Sequence, residues 1–112
     1  MTEKINVMKI EPGKWDCSFI EIPNTLEALQ AEVGGCIDVI PIPGFDRHNF
    51  RIVCNQNGLM EGLPINENLI PFFFVGTCLI VIRYFGEFKT ISAKEEKILI
   101  DWLEALRKED NI

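Results

Sequence analysis

The stretch VGTCLIVIRY, residues 75–84, decides how the rest of the chain is read. From Cys78 to Ile82 no polar side chain interrupts it, and Arg83 is the first charge. A strand with one wet face alternates apolar and polar residues, so an unbroken run predicts a central strand covered on both faces. The wider apolar region 69–82 contains Pro71 and Gly76 and is fourteen residues long. A membrane-crossing helix needs about twenty. The run is a buried strand, not a span.

Forty-two positions upstream the chain writes VGGCIDVI at 33–40, sharing five of eight letters with VGTCLIVI at 75–82. Carried outward to 24–45 and 66–87, the match reaches seven identities in twenty-two positions. The helix does not repeat: TLEALQAE in the first copy faces ENLIPFFF in the second, where Pro71 would break it. Neither copy has the glycines of a phosphate-binding loop opening into a helix. The shared letters read as one grammar for entering a strand, not as a duplicated site.

Two helices flank this pattern. Asn24 and Glu27 form a capping-box spacing at the start of TLEALQAEV, and Gly34-Gly35 closes it. Leu26, Leu29 and Val33 share its apolar face. Ser92 and Glu95 cap the second helix, whose stripe is Ile98, Leu99, Trp102, Leu103 and Leu106, ending near Lys108. The remaining apolar runs read as strands: residues around Ile5–Val7, CSFIEI at 17–22, CIDVIPI at 36–42, NFRIVC at 49–54 and EFKTI at 87–91. CIDVIPI carries Pro41 and stops at Pro43-Gly44, as an edge strand would. NQNG at 55–58 predicts a turn with positive φ. Together these predict a single α+β domain over 1–112, a mainly antiparallel sheet of about five or six strands with two helices packed on it.

Seventeen acidic against eleven basic residues give a net charge of −6, which opposes nonspecific nucleic-acid binding. The first residues, MTEKINVMKIEPG, have no apolar stretch of signal-peptide type, and the expectation is a cytoplasmic protein. Cys17, Cys36, Cys54 and Cys78 are dispersed among apolar residues with no Cys-x-x-Cys pair. Four buried, reduced thiols are expected, and no metal site. His48, the single histidine, lies in the polar loop GFDRHN beside Asp46 and Arg47. Its spacing ties it to no cysteine, so a Cys/His enzyme is a remote alternative. No paired-carboxylate, nucleophile-elbow or nucleotide-binding signature is present, so a non-enzyme without a cofactor is expected.

The loop NGLMEGLPINENLIP at 57–71 fixes its path with Gly58, Gly62, Pro64 and Pro71 and displays Asn66 and Asn68. Long loops on rigid scaffolds often carry binding groups. An Asx turn explains Asn66 equally well. Arg47, Arg51, Arg83 and Lys89 are the cations near predicted strand ends, suited to an anionic ligand or to balancing the acids.

TLEALQAEVGGCIDVIPI, GLMEGLPINENL and VGTCLIVI together resemble a family catalogued as domain of unknown function 3846, from about Asn24 to the Ser92 helix. Leu26, Leu29, Val33, Gly34 and Gly35 fit its first element; Gly62, Leu63, Pro64 and Asn66 its second; Val75, Gly76 and Thr77 its third. The resemblance implies a small accessory protein of a phage or mobile element and carries over no catalytic residue. The expected role is counter-defence by binding: sequestering a small nucleotide-like anion between protomers, or engaging a host defence protein. Arg47, Arg51, Arg83, Tyr84 and Asn66 are the candidate ligand groups. The alternative is an oligomerisation module without a ligand, using Phe72, Phe73 and Phe74, which cannot all face one way in an extended segment. A homo-oligomer is expected on that ground.

Overall fold

The computed structural model describes residues 3–42, 45 and 47–110. Pro43, Gly44 and Asp46 lie outside the described residues, as do the side chains of Arg47, Glu109 and Asp110. The elements follow in the order β1 (Lys4–Ile10), β2 (Ser18–Pro23), α1 (Leu26–Val33), β3 (Ile37–Pro41), β4 (Phe50–Asn55), β5 (Cys78–Tyr84), β6 (Glu87–Lys89) and α2 (Ala93–Asp110). Short 3-10 turns at Arg47–Asn49 and Glu67–Leu69 interrupt the two long connections.

All strand pairs are antiparallel, in the order β2-β1-β5-β4-β3, with β6 also on β5. β1 covers residues 78–80 of β5 and β6 covers 82–84, while β4 covers 79–82 on the other side. β5 is therefore the central strand, as its unbroken apolar run predicts. Its residues alternate between two separate cores. Cys78, Ile80 and Ile82 pack with Phe50, Ile52 and the α2 residues Leu99, Trp102, Leu103 and Leu106. Leu79 and Val81 pack with Ile5, Val7, Val53 and the α1 residues Leu29 and Val33. One helix covers each face, and α+β with a six-stranded antiparallel sheet is the architecture.

The second helix is capped as the spacing predicts: the Ser92 amide and hydroxyl meet Glu95 Oε1 at 3.0 and 2.8 Å, and Glu95 N donates to Ser92 Oγ at 3.3 Å. The first is capped one residue later than expected. Thr25 Oγ1 accepts from Ala28 N at 3.1 Å, whereas Asn24 Nδ2 donates to Phe88 O. Leu26 is thus the first helical residue, and at 54% exposure it leaves the apolar face to Leu29 and Val33.

The repeated Val-Gly does carry common geometry, because Gly34 (φ 83°) and Gly76 (φ 74°) are both left-handed just ahead of a strand. Asn-Gly at 57–58 behaves otherwise. Neither residue has positive φ, and the segment is a run of turns rather than a tight hairpin. Gly58 is required by space instead: a Cβ there would lie 2.9 Å from Val75 Cγ2 and 3.2 Å from Leu63 Cδ1. The expected burial of four thiols also needs correction, since Cys54 and Cys78 are buried, Cys17 is half-buried and Cys36, at the entry to edge strand β3, is exposed.

Candidate functional site

The long loop 56–77 is fastened to the sheet by asparagines. Asn66 is 0% exposed, and its Nδ2 donates to Ile10 O and Gly76 O, both at 3.0 Å. Asn68 Nδ2 donates to Glu11 O at 2.9 Å and to Asn66 Oδ1 at 3.3 Å, and Arg107 Nη2 donates to Asn68 Oδ1 at 3.3 Å. Asn66 therefore orients backbone, not a ligand, which corrects its place among the candidate ligand groups. The residues that carry the family resemblance serve the same purpose. Val33, Gly34, Leu63, Pro64, Gly76 and Thr77 converge on one cleft at the start of β5, where Leu63 fills the space left by Gly58 and Gly76. Glu11 and Glu32 complete that cleft at the C-terminal end of α1, and both carboxylates and helix end are negative. Lys9 Nζ meets Glu32 Oε1 at 2.8 Å, a hydrogen bond that holds the lysine charged above its ordinary range. The cleft has the wrong sign for an anion.

The candidate cations do not form one cluster. Arg83 and Arg51 share the α1 face of the sheet, as diagonal neighbours given the Arg51–Val81 register. Arg83 is exposed with its guanidinium 5.9 Å from the Phe88 ring centre, and Arg51 Nη1 donates to Phe50 O at 2.9 Å. Tyr84 lies on the opposite face, with Ile82, and Asn66 lies past the other end of β5, roughly 20 Å away by strand rise. The side chain of Arg47 falls outside the described residues. The five-residue constellation is not assembled.

Tyr84 instead joins a different set. A cleft of about 440 Å³ at the end of β5 is lined by His48, Asn49, Ile82, Tyr84, Lys89, Thr90 and Glu95. Ligand sites are commonly of this size, with a few converging polar groups. Lys89 Nζ pairs with Glu87 at 3.0 Å in the open, and Glu95 is engaged by the Ser92 cap. The His48 ring lies 5.7 Å from Phe50 and is exposed.

The backbone singles out this cleft. Non-glycine residues with positive φ are uncommon and are held only where their surroundings enforce them. Among the described residues there are three: His48 (61°), Asn49 (59°) and Phe85 (52°). Two line the cleft, and the third is outside the lining but packs its ring 4.4 Å from that of Tyr84 in a T-shaped pair. Sequence reasoning reached His48, Tyr84 and Lys89 separately and missed Asn49, Thr90 and Phe85. The available signal was Tyr-Phe-Gly-Glu between two strand-like runs, a tight turn with Phe where Asn or Asp is usual.

A third surface surrounds Phe73. Phe72 and Phe74 are half-buried against the α2-face core, while Phe73 is 65% exposed. It lines a groove of about 210 Å³ with Ile40, Cys54, Leu59 and Phe74. Leu59 and Met60 are exposed on the same loop, Met60 at 90%.

Three of the four thiols are shielded, and only Cys36 is exposed. Burial pushes the Cys78 thiol up to about 12 and also raises Cys54 and Cys17, so the nucleophilic thiolate is scarce at neutral pH. Among the described residues no three His, Cys, Asp or Glu side chains group to hold a metal ion. Among the described residues no helix is long and apolar enough to cross a membrane.

Fold and surfaces define a small α+β domain with loop-built clefts at the two ends of one buried strand. The chain belongs to the family described as Domain of unknown function (DUF3846), whose model matches residues 5–105. No curated protein and no solved structure matches it.

Proposed function

We propose that this protein is a non-enzymatic binding protein that holds a small nucleotide-like anion in the cleft of His48, Asn49, Tyr84, Lys89 and Thr90. The carrying observation is that two of the three left-handed non-glycine residues among the described residues, His48 and Asn49, line this cleft, and the third, Phe85, pairs with its Tyr84. Strain of that kind persists where function requires a fixed geometry. Lys89 supplies a positive charge, His48, Tyr84 and Thr90 supply hydrogen-bond donors, and the Glu95 carboxylate that shares the cleft is engaged by the Ser92 cap. The setting that fits is the cytoplasm of a host cell, where a phage or mobile element sequesters a defence signal.

Calorimetry with adenosine and uridine 5′-monophosphates, and native mass spectrometry of protein from cell extract, test this reading. Losing one charge-assisted hydrogen bond costs about 1.5–3 kcal/mol, roughly ten- to a hundredfold in affinity. Lys89→Ala is expected to weaken binding by that factor, and Arg83→Ala, on the opposite face, to leave it unchanged. Absence of both binding and a co-purified anion refutes the assignment.

A second reading has its own observation. Phe73, Leu59 and Met60 expose large apolar side chains beside the Phe73 groove, next to edge strand β3. Such a patch suits a host protein or a second copy of the chain. Light scattering of the wild type and Phe73→Asp distinguishes them: a dimer lost in the variant supports self-association, and a monomer at every concentration removes it.

A further inference from the structure

The turn that joins β5 to β6 has two residues, because Tyr84 and Glu87 are paired across it. Its central residues, Phe85 (φ 52°) and Gly86 (φ 78°), both have positive φ, the pattern of the tight hairpin turn that matches strand twist. Asn, Asp or Gly is the usual first residue of such a turn, since a bulky side chain crowds the backbone in that region. Phe85 is disfavoured a second way, because its ring is 87% exposed. Neither feature helps the fold. Among the described residues its ring pairs only with Tyr84, so a strained, exposed Phe at this turn is explained by what it does in a complex.

Resting on the binding reading above, we infer that Phe85 and Tyr84 form the corner that receives the ligand's planar ring, so the ligand class is a nucleotide carrying an aromatic base. Their rings meet at 70° with centroids 4.4 Å apart. That leaves the face of one ring and the edge of the other at a corner, and a flat base stacks on the face. Tyr84 also lines the cleft that holds Lys89 and His48, so a base on this corner places an attached phosphate toward the Lys89 ammonium and the His48 ring. Stacking of a base on an aromatic side chain is tolerant of base identity, because every base has a π-face.

Phe85→Asn tests this, since it relieves the turn and removes the ring. The probes are uridine 5′-monophosphate, adenosine 5′-monophosphate and ribose 5-phosphate, the last an anion without a base. The wild type is expected to prefer the nucleotides over ribose 5-phosphate by about tenfold or more, the worth of one stacked base. In Phe85→Asn that preference disappears while Tm rises by roughly 2–6 °C. A variant that keeps the full preference overturns the role of Phe85 while leaving the cleft as the binding site. A fall in Tm overturns it too, because the ring would then belong to the fold. Equal wild-type binding of all three probes removes the base from the ligand class. Binding of none removes the binding reading itself.

Discussion

Replacing Asn66 by alanine removes the two donors that tie the loop to the sheet. Both acceptors, Ile10 O and Gly76 O, lie 3.0 Å from Nδ2, and the side chain is 0% exposed, so no water replaces it without rearrangement. Leaving a buried group unsatisfied costs about 1–3 kcal/mol each. Asn66 Oδ1 also accepts from Asn68, whose own amide and carbonyl bridge Glu11 and Arg107. The expected loss is about 2–4 kcal/mol, a large share of the roughly 5–15 kcal/mol that stabilises a domain. At a slope of about 1.5 kcal/mol/M, the urea midpoint falls by roughly 1.3–2.7 M. Circular dichroism during urea titration reads it. Asn66→Asp keeps the shape but replaces both donors with acceptors, and it is expected to lose at least as much. A midpoint within about 0.5 M of wild type for Asn66→Ala would refute the fastening role and reopen Asn66 to a ligand.

Cysteine accessibility follows burial: alkylation of the folded protein reaches Cys36 first and Cys54 and Cys78 only on unfolding, as peptide mapping after timed labelling will show. Because burial raises Cys78 from 9.0 to about 12, the folded state keeps its proton where the unfolded state has lost it. Its contribution to stability is whole below about pH 9 and falls as pH rises from there toward 12, so the urea midpoint drops on that limb and drops less in Cys78→Ala. Leu99→Ala empties a fully buried site between α2 and the sheet and should cost about 2–5 kcal/mol by the same titration.

The sheet was legible where burial is two-sided. Residues 78–82 leave no polar alternative, so β5 could only be central, and its neighbours followed from their own alternation. The α2 stripe and its Ser92–Glu95 box were legible because a cap is a local device of four residues. At α1 two adjacent residues, Asn24 and Thr25, are both capable caps, and only the distant Phe88 carbonyl decides which turns away. Cys36 resembles its apolar neighbours, yet it stands ahead of an edge strand, and edges are a property of strand order. The site was harder still. His48 and Lys89 meet because β4 and β6 flank the same end of β5, a register that no local pattern records. Arg83 and Tyr84, adjacent in sequence, part to opposite faces by the pleat alone. Asn66 looked the same as a ligand group and as a buried clamp until its acceptors were in place.

The position of β5 also sets how the sheet must close. β1 finds its inner partner only when residue 80 reaches residue 8, and β4 waits for the same strand. Without that strand, β1 with β2 and β3 with β4 can pair only as two-stranded hairpins, each with an open edge and marginal alone. Contacts so distant along the chain make for slow closure. The two hairpins therefore share a core only once β5 enters between β1 and β4, so one strand turns two half-sheets into a single folding unit.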